Sequence, residues 1–224
     1  MLRSLVSLSI LAAAAISPHG ATADDTQLWT ALFSDGPISD TGDGRFLAWF
    51  DAHARYSEDV SRLGVSIIRP GLGYKVNDDL SLWAGYAWVV SRADGRESLT
   101  EHRTWQQATY GVAKGPWGSL SGRTRIEQRF HEAGDETGYR VRQFLRWSKP
   151  IAERWTATAW NETFIALNDT DFGARAGYDQ NRTFGGLRWR ASDKVSLEGG
   201  YVFNHINASD AANHNVSISI IAPL

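Results

Sequence analysis

The sequence contains no cysteine, so no disulfide framework can hold the fold, and strand pairing and burial must do so instead. After the first two dozen residues it has no run of about twenty apolar residues, which excludes a membrane-spanning helix. Proline is scarce, at six residues in 224, so few positions interrupt a backbone ladder. Charge of one sign is also missing. A net charge of −2 argues against a nucleic-acid partner or a generally acidic one. What the chain has in quantity is ten Trp, nine Phe, seven Tyr and 21 Gly, a composition for strands and turns rather than helices. A transmembrane barrel passes the hydropathy test that excludes helices, because its strands are apolar only at every second position.

The N-terminus reads as an export signal. Arg3 supplies a positive start, Leu5 to Ile16 an apolar stretch, and Ala21, Thr22 and Ala23 a small-residue cleavage site before Asp24 and Asp25. Residues 1–23 are therefore expected to be a signal peptide. Residues 24–44 are expected to form an extended segment ending in turn chemistry, and residues 45–224 a single β-barrel domain. The segment Gln27 to Phe33 fits a place in the lumen, at the rim, or as an extra strand.

The most informative stretch runs from Trp117 to Trp147. Read in steps of two, it places Arg123, Arg125, Glu127 and Arg129 on one face, with Thr124, Ile126, Gln128 and Phe130 on the other. After the polar tip 132–138 the rhythm returns, with Arg140, Arg142, Phe144 and Arg146 opposing Tyr139, Val141, Gln143, Leu145 and Trp147. A period of two is that of a strand. A soluble sandwich would bury the apolar face. A membrane barrel turns the apolar face to lipid and the charged face to its lumen.

Similar alternation elsewhere predicts ten strands from Arg45 onward, with twelve as the upper count. The fold class is all-β, an antiparallel up-and-down transmembrane β-barrel. Connections alternate between short, at 77–79, 115–116, 150–153 and 192–194, and longer, at 91–100, 132–138, 168–179 and 208–214. Outer-membrane barrels show this pattern, with short turns in the periplasm and long loops outside. The expected strands of about 11 to 15 residues exceed the roughly 9 to 11 needed to cross a bilayer tilted. Arg69, Pro70 and Gly71 break the phase of one strand, which predicts a bulge or an edge there. Trp83, Trp88, Trp105, Trp117, Trp147, Trp155, Trp160 and Trp189 fall near strand ends and predict an aromatic girdle at the headgroup level.

Arg69, Pro70, Gly71, Leu72, Gly73 and Tyr74, then Leu82 to Tyr86, Arg125 to Arg129, Arg140 and Arg142, Glu162, and Asn181 with Arg182 together resemble a bacterial family catalogued as domain of unknown function 2490. The resemblance covers nearly the whole chain after the signal. It implies an exported barrel of the Gram-negative outer membrane, in contact with membrane lipid and inserted by the barrel-assembly machinery, and it implies no chemistry. One departure concerns insertion: such barrels commonly end in an aromatic residue, whereas this sequence ends in Ile220, Ile221, Ala222, Pro223 and Leu224.

If the apolar faces look outward, the lumen collects Arg123, Arg125, Arg129, Arg140, Arg142, Arg146, Arg182, Arg188 and Arg190, with Glu127, Glu162 and Glu198. Arginine forms bidentate pairs with carboxylates, so these glutamates should be clamped by neighbouring strands. Two readings follow. The set is a plug of ion pairs, or its unpaired arginines attract small anions in a narrow pore or at a binding site. A barrel of about ten strands is filled largely by side chains, which argues against a general diffusion pore. A soluble periplasmic barrel binding an apolar or anionic small molecule is the alternative. A lipid-modifying hydrolase using His102 or His131 is a further one. His53, His102, His131, His205 and His214 are dispersed, and no Ser lies two residues from any of them on one face. No catalytic residue, metal site or cofactor is therefore assigned.

Overall fold

The computed structural model describes residues 26–38, 44–92, 95 and 97–224, so the expected signal peptide, Asp24, Asp25 and the turn residues 39–43 lie outside the described residues. Among the described residues eleven strands form one closed sheet. They are β1 (Thr26–Pro37), β2 (Phe46–Ser57), β3 (Arg62–Lys75), β4 (Leu80–Ser91), β5 (Leu99–Gly115), β6 (Gly118–His131), β7 (Thr137–Pro150), β8 (Trp155–Ala166), β9 (Gly177–Arg190), β10 (Ser196–Ile206) and β11 (Ala211–Ile221). Neighbours in sequence pair antiparallel all the way round. The ring closes where β1 pairs β11 in parallel, with Leu28 beside Val216 and Ala31 beside Ser219.

That closure gives Gln27 to Phe33 its place. Thr26–Pro37 is a full barrel strand, so the barrel begins at Thr26 rather than at Arg45, and the strand number is odd. An odd number leaves one pair of adjacent strands running the same way. Thr26 accordingly sits at one end of the barrel and Ile221 at the other. The connections 76–79, 116–117, 151–154 and 191–195 lie at the end where β11 finishes. The connections 58–61, 92–98, 132–136, 167–176 and 207–210 lie at the opposite, long-loop end.

Arg69, Pro70 and Gly71 do not form a bulge. β3 runs unbroken through them, and its pairing with β4 skips Arg69 and Pro70 without a change of register, from Ile68 with Trp88 to Gly71 with Gly85. Proline removes one ladder donor there, and the two glycines bring the strands close to a large side chain. A Cβ on Gly71 would meet Trp105 Cη2 at 2.5 Å, and one on Gly85 would collide with the Pro70 carbonyl and the Trp105 ring. Trp105, fully buried, thus lies flat against a backbone that lacks side chains. Register shifts occur instead at Arg55/Tyr56, Gly111/Ala113 and Phe164/Ile165.

The two faces of the wall are chemically opposite. Leu72, Leu82, Tyr86, Trp88, Ile126, Tyr139, Leu145, Leu187, Ile218 and Ile220 stand exposed on the outside, with Leu72 at 66%. Asp51, Arg69, Arg125, Glu127, Arg142 and Glu162 are buried inside. The tryptophans divide by strand parity and not only by closeness to a strand end. Trp117 and Trp155 are exposed, Trp155 packs on Trp189, and Trp147 donates to the Trp117 carbonyl, all at the short-turn end. Trp83 and Trp105 occupy inward positions in one interior cluster with Leu47 and Ala87, and Trp160 packs against a second, formed by Trp29, Phe184 and Val202, so these three do not belong to a girdle.

Candidate functional site: the arginine-lined interior

The inward positions of β5 to β10 carry most of the interior charge, organised around four carboxylate centres. Glu127 on β6 accepts from Arg140 Nη2 at 2.7 Å and Arg142 Nη1 at 2.7 Å, both on β7. Arg142 reaches on to Glu162 of β8 at 2.8 Å, and Arg123 of β6 meets the same carboxylate oxygen at 2.6 Å. Arg140 also reaches Asp179 near the long-loop mouth, at 3.0 Å. Glu101 holds Arg103 at 2.6 Å and Arg129 at 2.5 Å. Glu198 is paired with Arg146 and Arg188 towards the short-turn end. On β2, Asp51 accepts from Arg69, from the Trp49 indole and from His53.

Most of the residues singled out in the sequence therefore meet one another. Arg123, Arg140, Arg142, Glu127 and Glu162 form one network, and Arg146, Arg188 and Glu198 another. Arg129 belongs to the Glu101 cluster. Arg125 is fully buried and donates twice to Gln107, with Glu127 at 4.0 Å. Arg182 bonds only the side-chain amides of Asn204 and Gln180. Arg190 is exposed at the short-turn rim, donating to the Glu153 carbonyl, and does not enter the lumen. Asp51, Arg55, Arg69, Glu101 and Arg103 were missed, although the period-two rule that placed Arg123 to Arg129 applies equally to their strands. The partners are only partly on neighbouring strands: Arg123 reaches across one strand and Arg146 across two.

Among the described residues eleven arginines enter this interior (55, 69, 103, 123, 125, 129, 140, 142, 146, 182 and 188), and the carboxylates paired with them number six. Aromatic rings take up part of the difference. Arg140, Arg142 and Arg182 all lie over Phe164, at 5.1, 4.6 and 4.6 Å from its centroid. Arg125 lies 4.5 Å over Trp105. A cavity of about 800 Å³ remains inside, its lining running from Asp78 and Ser121 near the short turns to Glu101, Arg129 and Asp179 near the long loops.

The long-loop end is partly clasped. Asp171 accepts from the backbone of Asp135 and Glu136, and Glu136 accepts from the Asp171 amide, tying 167–176 to 132–136. Phe172 stacks on His131 and lies 5.5 Å from the Arg129 guanidinium carbon. His102, His205 and His214 are on the outer surface, each with its Nδ1 against a tyrosine hydroxyl, Tyr86, Tyr178 and Tyr201 respectively. Among the described residues no group of three His, Cys, Asp or Glu side chains is arranged to hold a metal ion.

Comparison with known proteins adds the lineage. A search of solved structures finds the crystal structure of the siderophore receptor PirA from Pseudomonas aeruginosa, at TM-score 0.35 and 12% identity, covering 84% of this chain and 38% of that receptor. An uncharacterized protein of Methylorubrum extorquens is 38% identical over 183 residues, which is 80% of this chain and 77% of that protein. The family model described as "Protein of unknown function (DUF2490)" matches residues 26–215, nearly the whole closed barrel, and the chain belongs to that family.

Proposed function

We propose that this chain is an exported outer-membrane barrel whose largely filled, arginine-rich interior holds or passes small anions rather than general solutes. The observation that carries the reading is the inverted polarity of the wall. A largely apolar, partly aromatic outer surface surrounds a mostly buried charged network. Exposed Leu72, Leu82, Trp88, Ile126, Leu145, Leu187, Ile218 and Ile220 would put more apolar surface in water than a soluble monomer tolerates, whereas a bilayer requires it. Membrane lipid is then the partner of the outer face, the barrel-assembly machinery the route of insertion, and small anions the partner of the inner face. Strands of 11 to 17 residues match a tilted crossing.

The interior supports selectivity over bulk flow. Trp105, Arg125 and Glu127 are buried to 1% exposure or less and fill the section between β4 and β6. Excess guanidinium favours anions in what space remains. Two measurements test the reading. The mature protein should stay in the outer-membrane fraction through a carbonate wash, and its release would favour the soluble binder. In planar bilayers it should give small, anion-selective currents that fall in Arg142→Ser. A silent bilayer leaves the plug.

A further inference from the structure

Among the described residues two interior arginines form no direct ion pair, with Glu162 acting on both only at longer range, and they converge on one ring. Arg55 of β2 forms no ion pair and no side-chain hydrogen bond with a described residue, and its buried Nε is without a partner. Its guanidinium carbon lies 4.1 Å from the centroid of Trp29 on β1. Arg182 of β9 lies 5.0 Å from the same centroid, so the two guanidinium carbons are no more than about 9 Å apart. Arg182 is held by amide oxygens, which orient it without cancelling its charge. Other interior arginines contact at least one carboxylate oxygen, Arg125 at the 4.0 Å limit.

Both groups face the cavity, in the half nearer the long loops, and Trp29, Trp160 and Phe164 line it beside them. Trp29 is itself fixed against Phe184 and Val202. A neutral ring attracts a guanidinium through its quadrupole but leaves the unit charge and the outward N–H donors in place. Two like charges kept together in a poorly solvated interior call for a counter-charge, and a planar fork of donors suits an oxyanion.

We propose that Arg55 and Arg182, braced by Trp29, form a binding site for a small organic oxyanion of the carboxylate or phosphate-ester type, its apolar body lying against Trp29, Trp160 and Phe164. The inference rests on the anion reading of the interior and locates it at one place in the barrel. The site is independent of conduction: a barrel that is silent in a bilayer still binds, and a barrel that conducts need not.

The test is calorimetric titration of the full mature protein in zwitterionic detergent with benzoate and with phenyl phosphate, and with uncharged benzamide as the control. Saturable binding of either anion is expected, absent for benzamide, weakened at least tenfold in both Arg55→Gln and Arg182→Gln and less than twofold in Arg190→Gln, whose side chain lies outside the lumen. Removing a cation that has no direct ion pair should not loosen the fold, so both variants should keep the β-sheet circular dichroism of the parent. Two positions keep the test open should one variant fail to assemble. Absence of saturable binding of both anions to the parent protein, equal binding of benzamide, or affinity that survives both substitutions would overturn the site.

Discussion

Substituting Glu127 by Gln tests the interior network most directly. Glu127 is 1% exposed and accepts from two guanidinium groups, with a third at 4.0 Å. The amide keeps the volume and one acceptor oxygen but removes the charge that Arg140 and Arg142 share. Stranding a buried cation costs about 3–5 kcal/mol. Here Arg142 keeps Glu162 and Arg140 keeps Asp179, so the lower end applies, about 3 kcal/mol. For a chain of this size that corresponds to a fall of about 6–12 °C in the unfolding midpoint. The measurement is the denaturant or thermal midpoint of the refolded barrel, followed by tryptophan fluorescence. Adding Arg140→Gln should recover part of the loss, because the penalty belongs to the stranded cation rather than to the missing contact, and a coupling of about 1–3 kcal/mol is expected. Glu127→Gln at or above the parent's stability would refute the view that these charges are mutually dependent and cut off from water.

Three further predictions test other levels of the argument. Ile126→Arg, on the outer face of β6, should cost about 2–4 kcal/mol or abolish insertion into lipid, whereas on a soluble barrel it would be nearly neutral; folding yield into vesicles decides. Gly85→Ala drives a methyl into the Pro70 carbonyl and the Trp105 ring, with an expected loss of about 1–3 kcal/mol, read from the same denaturation curves. Ala31→Cys with Ser219→Cys should form a disulfide under mild oxidation, because the two are register partners across the parallel closure and the chain has no other cysteine; failure to cross-link would place β1 elsewhere.

Strand parity made much of the interior readable from the chain alone. Once Arg123, Arg125, Glu127 and Arg129 alternate with Thr124, Ile126 and Gln128, pleating commits them to one face, and Arg140, Arg142 and Arg146 follow by the same rule. The same rule applies to Trp83 and Trp105, which stand inward, but nearness to strand ends suggested a girdle instead. It reached Glu101, Arg103 and Asp51 too, where the charges are fewer and the pattern less regular. Arg190 obeys the parity of β9 yet sits past the lumen, because parity fixes a side chain's face and not its depth.

What the sequence determined by itself is local: the strand period, the turn positions and the face on which each arginine stands, all set by backbone geometry within a few residues. Tertiary structure alone decided the rest. β1 became a barrel strand because β2 and β11 each presented an edge to it, and no property of residues 26–37 announces that parallel pairing. The partners of the arginines were decided in the same way. Arg123 finds Glu162 across 39 residues of chain and Arg146 finds Glu198 across 52, while Arg55 finds only a ring. Which cations are neutralised is a matter of distance across a closed cylinder, and that distance exists only once the sheet has met itself.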